Sequence, residues 1–251
     1  MEVFGKNVAL DYLEKEDKIN KVYLADNFND EEIKRLISKR GIKPIVLKRF
    51  EMDKKVNGLH QGIILDVPDY EYAEIDEFIY KEDAFVVILD HLEDPHNFGA
   101  IIRTCEAAGV DGIIIPKDRS VSVNATVIKT SVGTTSNVKI APVTNLVNTI
   151  NSLKDRGFWI IGTDMDGTDY TKIDYKGKIA IICGNEGSGM SRLVRDNCDF
   201  IASIPMYGKV NSLNASVATA LVIFEANKSR RWEYEFRGNE WLWINFLYKW
   251  T

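Results

Sequence analysis

The sequence predicts an α/β protein in which a parallel sheet is covered by helices on both faces and preceded by a smaller α/β unit. Three observations predict it. From position 84 onward, apolar runs of strand length alternate with helical segments. Those runs are continuously apolar, as strands buried on both faces are, and lack the alternation of a half-exposed sheet. The first 66 residues hold two helical segments and three short β-like runs of their own.

In the first unit, 1–66, positions 6–16 read as a helix. So do 30–40, where Ile33, Leu36 and Ile37 recur at helical spacing behind an Asp30 cap. β-like runs fall at 21–24, 44–47 and 61–66. The acidic stretch 67–83, with Pro68 near its start, reads as a linker. In the larger unit, 84–230, strands are expected at Phe85–Leu89, Gly112–Ile115, Trp159–Gly162, Ile179–Cys183 and Ile201–Ile204. Helices are expected at 98–108, 123–130, 145–156, 190–196 and 212–228. The stretch 231–251 is different in texture. It holds four of the five tryptophans, Trp232, Trp241, Trp243 and Trp250, and no chemical role is assigned to it.

Composition narrows the function classes. Hydrophobic residues make up 45% and charged residues 27%, the balance of a soluble globular chain. No apolar run reaches the roughly 18 residues a membrane helix needs, and the opening MEVFGKNVALDYLEKED lacks the order of a signal peptide. A cytoplasmic location is expected. Cys105, Cys183 and Cys198 share no CxxC spacing and sit in or beside apolar stretches, so buried reduced thiols are expected. His91 and His96 lie five apart with Pro95 between them and no further ligand spaced to finish a metal site, so no metal is expected. The net charge of −5 speaks against nucleic acid, yet charge is segregated. Lys34, Arg35, Lys39, Arg40, Lys43, Lys48, Arg49, Lys54 and Lys55 face only Glu51 and Asp53 between positions 34 and 55. Such a block is either a solvated helix face or a surface for a phosphate backbone.

Ligands of open parallel sheets bind in the loops that follow the strands. The loop after 85–89 carries Asn97, a good N-cap residue, with Arg103 six residues on. The loop after 179–183 runs Gly184-Asn185-Glu186-Gly187-Ser188-Gly189. This G-x-x-G-x-G spacing is neither a dinucleotide fingerprint nor a phosphate loop, but glycines after a buried strand let a flat ligand approach the backbone. The loop after 201–204 combines Pro205 and Met206 with Ser212-Leu213-Asn214-Ala215-Ser216. Ile204, Met206 and Leu213 with their peptide groups could face an adenine ring. Each loop alone is as well explained by capping and turn chemistry.

Taken together and in this order, Asn97–Arg103, Gly184–Gly189 and Pro205-Met206 with Ser212–Ser216 resemble the three motifs of the SpoU/TrmH family of RNA ribose 2′-O-methyltransferases, within the knotted SPOUT class. Val3-Phe4-Gly5-Lys6 and His60-Gln61-Gly62 resemble the substrate-binding extension of the branch that methylates guanosine in 23S ribosomal RNA. The resemblance spans roughly 1–230. It implies a trefoil knot late in the catalytic domain and S-adenosylmethionine as methyl donor. By motif position the donor contacts Gly184, Ile204 and Leu213, with Thr163 a lesser candidate. The resemblance also implies a homodimer formed through the knot region, and an RNA substrate guided by Lys34, Arg35, Lys39 and Arg40.

The sulfonium methyl is already activated, so the weak ribose nucleophile is what needs help. The family gives that help to the motif arginine, here Arg103, with Asn97 positioning it. A guanidinium is almost never deprotonated. Arg103 therefore acts either as the family's base or as a clamp on the phosphate and developing alkoxide. Glu186, Ser212 and Asn214 complete the polar shell, Glu186 orienting a loop or Asn97. The rival readings are the same chemistry on transfer RNA, or a non-catalytic RNA-binding or ribosome-assembly protein that keeps the fold. A dehydrogenase or NTPase lacks its phosphate fingerprint here.

Overall fold

A computed structural model describes residues 1–231; the Trp-rich tail beyond them lies outside the described residues. The chain forms two sheets. The first, in the order β1-β4-β2-β3, uses β1 (Glu2–Phe4), β2 (Lys21–Ala25), β3 (Ile45–Leu47) and β4 (Ile63–Asp66). Strand β3 runs parallel to β2, and β4 pairs antiparallel with both β1 and β2. Helices α1 (Lys6–Glu14), α2 (Glu31–Lys39) and α3 (Arg49–Lys55) accompany them. Helix α2 starts where expected. The Asp30 carboxylate accepts from the Ile33 N–H at 3.2 Å, Glu31 and Glu32 occupy the first turn, and Lys39 the last.

The second sheet has six strands in the order β10-β8-β9-β5-β6-β7, and every neighbouring pair is parallel. Its strands are β5 (Phe85–Leu89), β6 (Gly112–Pro116), β7 (Lys139–Val143), β8 (Trp159–Asp169), β9 (Ile179–Cys183) and β10 (Phe200–Ser203). The interleaved helices are α4 (Pro95–Ala108), α5 (Ala125–Thr130), α6 (Leu146–Asp155), α7 (Arg192–Asp196) and α8 (Ala215–Arg231). Strands β5, β6 and β9 are buried along their whole length, the physical reason their apolar runs are unbroken. Packing on the two faces gives two clusters, one around Leu89, Phe98 and Val222, the other around Ile88, Ile150 and Ile182.

Three elements are not expected from the sequence. Strand β1 is only three residues long. Helix α3 buries a single side chain, Met52, and so carries no amphipathic period. Strand β7 contains Pro142, which breaks the pattern of a central strand but is tolerated here because β7 is an edge and pairs only with β6. Most other limits shift by one to three residues, helix α8 running over Ala215–Arg231 where 212–228 is expected, and two shifts bear on the site. Strand β8 runs on to Asp169, beyond the expected Gly162, with a register break opposite Ile201 and Ala202. Helix α4 starts earlier than expected. Asp94, not Asn97, is the cap, accepting from the His96 N–H at 2.9 Å, because Pro95 fits the first helical position. Asn97 is thereby turned inward.

The acidic stretch 67–83 joins the two sheets along a packed path. Ala73 N–H donates to the Ile140 carbonyl at 2.9 Å, and the buried Phe78 ring lies over Gly112. Helix α5 touches both units, packing on α4 and on β1. A Cβ at Gly99 of α4 would sit 2.6 Å from the Thr130 Cβ and 2.9 Å from the Val127 carbonyl of α5. Gly99→Ala is therefore expected to cost about 1–3 kcal/mol by overpacking. Thermal unfolding should show a loss of several degrees; a parental Tm would mean that α5 shifts freely. Among the described residues, no helix is long and apolar enough to cross a membrane.

Candidate active site

The register of the parallel sheet brings the first two loops together. Leu89 of β5 lies opposite Cys183 of β9, so both strands end at one level, and Asp90 N–H donates to the Cys183 carbonyl at 2.8 Å. Asp90 is fully buried. One carboxylate oxygen accepts from the Ser191 N–H at 2.7 Å, and the other faces His91 Nδ1. Asn185 Nδ2 donates to the His91 carbonyl at 2.8 Å, while its Oδ1 takes the N–H groups of Gly187 and Ser188. The second loop closes on itself through reciprocal backbone bonds between Asn185 and Gly189. A Cβ at Gly184 would run into the Gly189–Met190 peptide, which explains the glycine there. Thr163, at the end of the regular part of β8, donates to the Ile182 carbonyl at 3.0 Å and ties a third strand end to the group.

A chain of side-chain amides then links all three loops. Asn214 Oδ1 accepts from the N–H and hydroxyl of Ser216 at the start of α8, at 2.9 and 2.6 Å. That engagement leaves the Asn214 amide nitrogen to donate to Asn97 Oδ1 at 2.9 Å. Asn97, 6% exposed, must then turn its own NH₂ outward, and it donates to the Glu186 carboxylate at 3.1 Å. The same oxygen lies 3.4 Å from the Asp94 N–H. The polarity of the relay is thus set by the N-terminus of α8, and its far end must be an acceptor, here the Glu186 carboxylate.

The residues expected from the sequence divide into two groups. Asn97, Glu186 and Asn214 form one hydrogen-bonded relay, while Gly184 directly follows β9 and Thr163 bonds to the Ile182 carbonyl of that strand. Arg103 stands exposed on α4, and its guanidinium makes no hydrogen bond or ion pair among the described residues. Ser212 is exposed, Ile204 and Met206 are half-buried, and Leu213 is 38% exposed. Asp90 and Asn185 are additions that sequence reasoning misses. They do leave a signal: each is a polar residue within two positions of the end of a wholly apolar strand.

The thiols are not nucleophiles at neutral pH. Burial pushes Cys183 and Cys198 up to about 11, and Cys105 well above the ordinary thiol range. His91 turns to Asp90, while His96 Nδ1 lies 3.4 Å from the Thr130 hydroxyl, so the two rings do not converge. Among the described residues, no group of three or more His, Cys, Asp or Glu is placed to hold a metal ion.

Comparison with known proteins shows the family of the chain. Residues 84–224 match the SpoU rRNA Methylase family, and residues 3–73 match the RNA 2′-O ribose methyltransferase substrate-binding family. YacO of Bacillus subtilis, assigned to the TrmH family of tRNA/rRNA methyltransferases, is 42% identical over 238 residues, covering 91% of this chain and 95% of YacO. The AdoMet-bound rRNA methyltransferase from Sinorhizobium meliloti superposes with a TM-score of 0.73 at 24% identity, covering 90% of this chain and 86% of that one. The TrmH/SpoU tRNA modifying enzyme of A. aeolicus is 31% identical with a TM-score of 0.54, covering 60% of this chain and 77% of that one. The fold and these matches together define an RNA methyltransferase. Among such enzymes, the chain belongs to the SpoU/TrmH family.

The residues present suit the methyl donor. The segment 205–213 makes no backbone–backbone hydrogen bond among the described residues, so its peptide groups are available to a ligand edge. Half-buried Ile204 and Met206 and exposed Leu213 add apolar surface beside them.

Proposed function

We propose that this chain methylates the 2′-hydroxyl of a guanosine ribose in 23S ribosomal RNA, in the cytoplasm and as a homodimer. The observation that carries the reading is the Asn214–Asn97–Glu186 relay. It fixes three loops from distant parts of the chain against one another, and Arg103, exposed and without a partner among the described residues, lies further along the helix that carries Asn97. Bound S-adenosylmethionine supplies an electrophilic methyl. Gly184, Ile204, Met206 and Leu213 would hold the donor, with Thr163 bracing the β8 end, through peptide groups and apolar contact. Asn97, Glu186 and Asn214 keep that cradle preorganised. Ser212, exposed on the third loop, is placed among the RNA-facing polar groups. Arg103 serves as a fixed positive charge for the RNA phosphate and for the oxygen that loses its proton, since a guanidinium is a poor base.

The ribosomal substrate is supported by the domain complement. The chain carries the extra unit at 3–73, and the match to the tRNA-modifying relative covers only 60% of the chain. The trefoil knot is part of the same reading. Helix α8, reached through the 204–214 loop, returns to pack on α4 and β9, a path that suits a threaded chain. The direct test is to incubate the protein with labelled donor and either deproteinised ribosomal RNA or transfer RNA, then map the label by nuclease digestion. Label on a 23S guanosine ribose is expected; label only on transfer RNA, or on a base, would displace the proposal.

The homodimer is supported by α8 itself. Val217, Leu221 and Phe224 recur at i, i+4 and i+7 with exposures of 49%, 39% and 47%, an apolar stripe unlike a solvated helix face. Replacing Leu221 and Phe224 by glutamate should halve the mass seen by light scattering at micromolar concentration; a monomeric parent would refute the dimer.

For the basic helix, Arg35 and Lys39 are exposed, whereas Lys34 pairs with Glu31 at 3.0 Å. Arg40 is committed to the Tyr12 and Asp17 carbonyls at 2.9 and 2.6 Å, so it holds the fold as well as adding charge. Reversing Arg35 and Lys39 should weaken RNA binding and flatten the slope of log K against log salt by about one to two units. An unchanged slope would place the RNA elsewhere.

A further inference from the structure

The N-terminal unit contains a cavity of about 320 Å³ that lies outside the methyl-transfer site. Its wall includes Lys6, Asn27, Phe28, Asn29, Arg49 and Gln61. We propose that this cavity receives one unstacked nucleotide of the substrate RNA, with Asn27, Asn29 and Gln61 reading the base edge and Arg49 meeting the phosphate. The inference rests on the reading of the chain as an RNA methyltransferase and adds where the RNA is read.

Four observations support it. First, the lining is chemically that of a base-reading pocket. Asn27, Asn29 and Arg49 are exposed, and their side chains make no hydrogen bond or ion pair among the described residues. Amides present donor and acceptor together, which base edges require, and sequence-specific RNA recognition acts on bases splayed out of a single strand. Second, the pocket is not a general anion trap. The Lys6 ammonium is held by Asp30 at 2.8 Å, leaving Arg49 as the unpaired positive group of the lining. One phosphate and one polar base edge match that charge better than a polyanionic surface does.

Third, one wall is held in a costly conformation. Gln61 adopts φ 53°, a left-handed backbone that a residue with a Cβ rarely takes. Three bonds fix it there. The Gly62 N–H donates to His60 Nδ1 at 3.0 Å, so the buried His60 carries its proton on Nε2 and turns that nitrogen to Asp53, also at 3.0 Å. Gln61 Oε1 accepts the Lys6 N–H at 2.9 Å, which aims the remaining amide NH₂ away from the backbone. Fourth, the same wall is gripped from the catalytic domain. Lys129 of α5 donates to the Leu59 carbonyl at 3.0 Å and lies 4.5 Å from the Phe4 ring centroid. The neighbouring Thr130 meets both Gly99 and His96 of α4. The pocket is therefore held at a fixed distance from the helix that carries Arg103, as a device that sets register on a folded RNA would need.

The test uses the full chain with Asn27→Ala, Asn29→Ala and Arg49→Ala combined, all at exposed positions that leave the core intact. Filter binding with labelled, deproteinised 23S ribosomal RNA at fixed salt should show affinity reduced about tenfold or more, and methylation should lose in KM with kcat within about twofold. Affinity for S-adenosylmethionine should not change. Gln61→Gly separates shape from chemistry: it relieves the backbone while removing the amide, so Tm should hold or rise as RNA affinity falls. Parental RNA affinity in the triple variant would overturn the pocket, and so would guanosine monophosphate binding there without competing with RNA. If the parent methylates no RNA at all, the enzymatic reading fails instead; the binding comparison still reports on the cavity.

Discussion

Arg103→Ala is expected to lower methylation of ribosomal RNA by about 10²–10³-fold or more, the scale of removing one preorganised charge from a reacting centre. Affinity for S-adenosylmethionine should remain within about twofold, because the groups assigned to the donor lie on other loops. The reason for so large an effect is the isolation of the side chain. Arg103 is exposed and has no carboxylate or carbonyl partner among the described residues, so nothing competes with an incoming phosphate or alkoxide. The same isolation means little stability is at stake, and Tm should be close to that of the parent. Single-turnover rates and calorimetric donor binding check both halves. Arg103→Lys distinguishes the two roles left open by the sequence. A point charge that cannot form a planar fork should restore only part of the rate. Full activity in the alanine variant would remove Arg103 from the reaction.

Asn97→Asp should be the second most damaging change, and it should show a characteristic pH dependence. The substitution keeps the size of the side chain but turns the donor facing Glu186 into an acceptor, 3.1 Å from a carboxylate oxygen. Two carboxylates at that distance do not both ionise without cost, so the folded variant takes up a proton more readily than the unfolded chain. The folded state then binds more protons, and stability falls as pH rises through the range where the pair gives its proton up. Urea unfolding should therefore show the variant recovering toward parental stability as pH is lowered from 8 to about 5. Glu186 is exposed, which screens the repulsion and favours a loss of loop order over global unfolding. Donor affinity should fall with it, since the relay ties the loops that would hold the donor. Adding Glu186→Gln to the same chain replaces the repelling pair with an amide facing a carboxylate, and should abolish the pH dependence. A flat pH profile in the single variant would mean that the Asn97–Glu186 contact does not hold the loops.

Much of the fold and part of the site are legible in the sequence. The apolar runs 85–89 and 179–183 form strands with the limits expected, because strands buried on both faces leave an uninterrupted hydrophobic signature. The Asp30 cap is legible because capping is a local rule. Strand β7 is not, since Pro142 reads as a strand breaker unless the strand is known to lie at an edge. Asn97 reads as a cap for a similar reason. Its residue type suits that place, but Pro95 and Asp94 fill it first, and the side chain is released for a long-range bond.

The sequence by itself determined the class of fold, the positions of three chemistry-bearing loops and their likeness to a methyltransferase family, because periodicity, caps and motifs are written in neighbouring residues. The tertiary structure alone decided that Asn97 meets Asn214, 117 positions away, that its expected contact with Glu186 is a direct hydrogen bond, and that Asp90 anchors the loop beyond Cys183. Those facts follow from the strand order and from the register that sets Leu89 beside Cys183. Such pairings are chosen by the packing of whole sheets, and a local stretch of chain shows at most that a polar residue stands at a strand end, never which partner it meets.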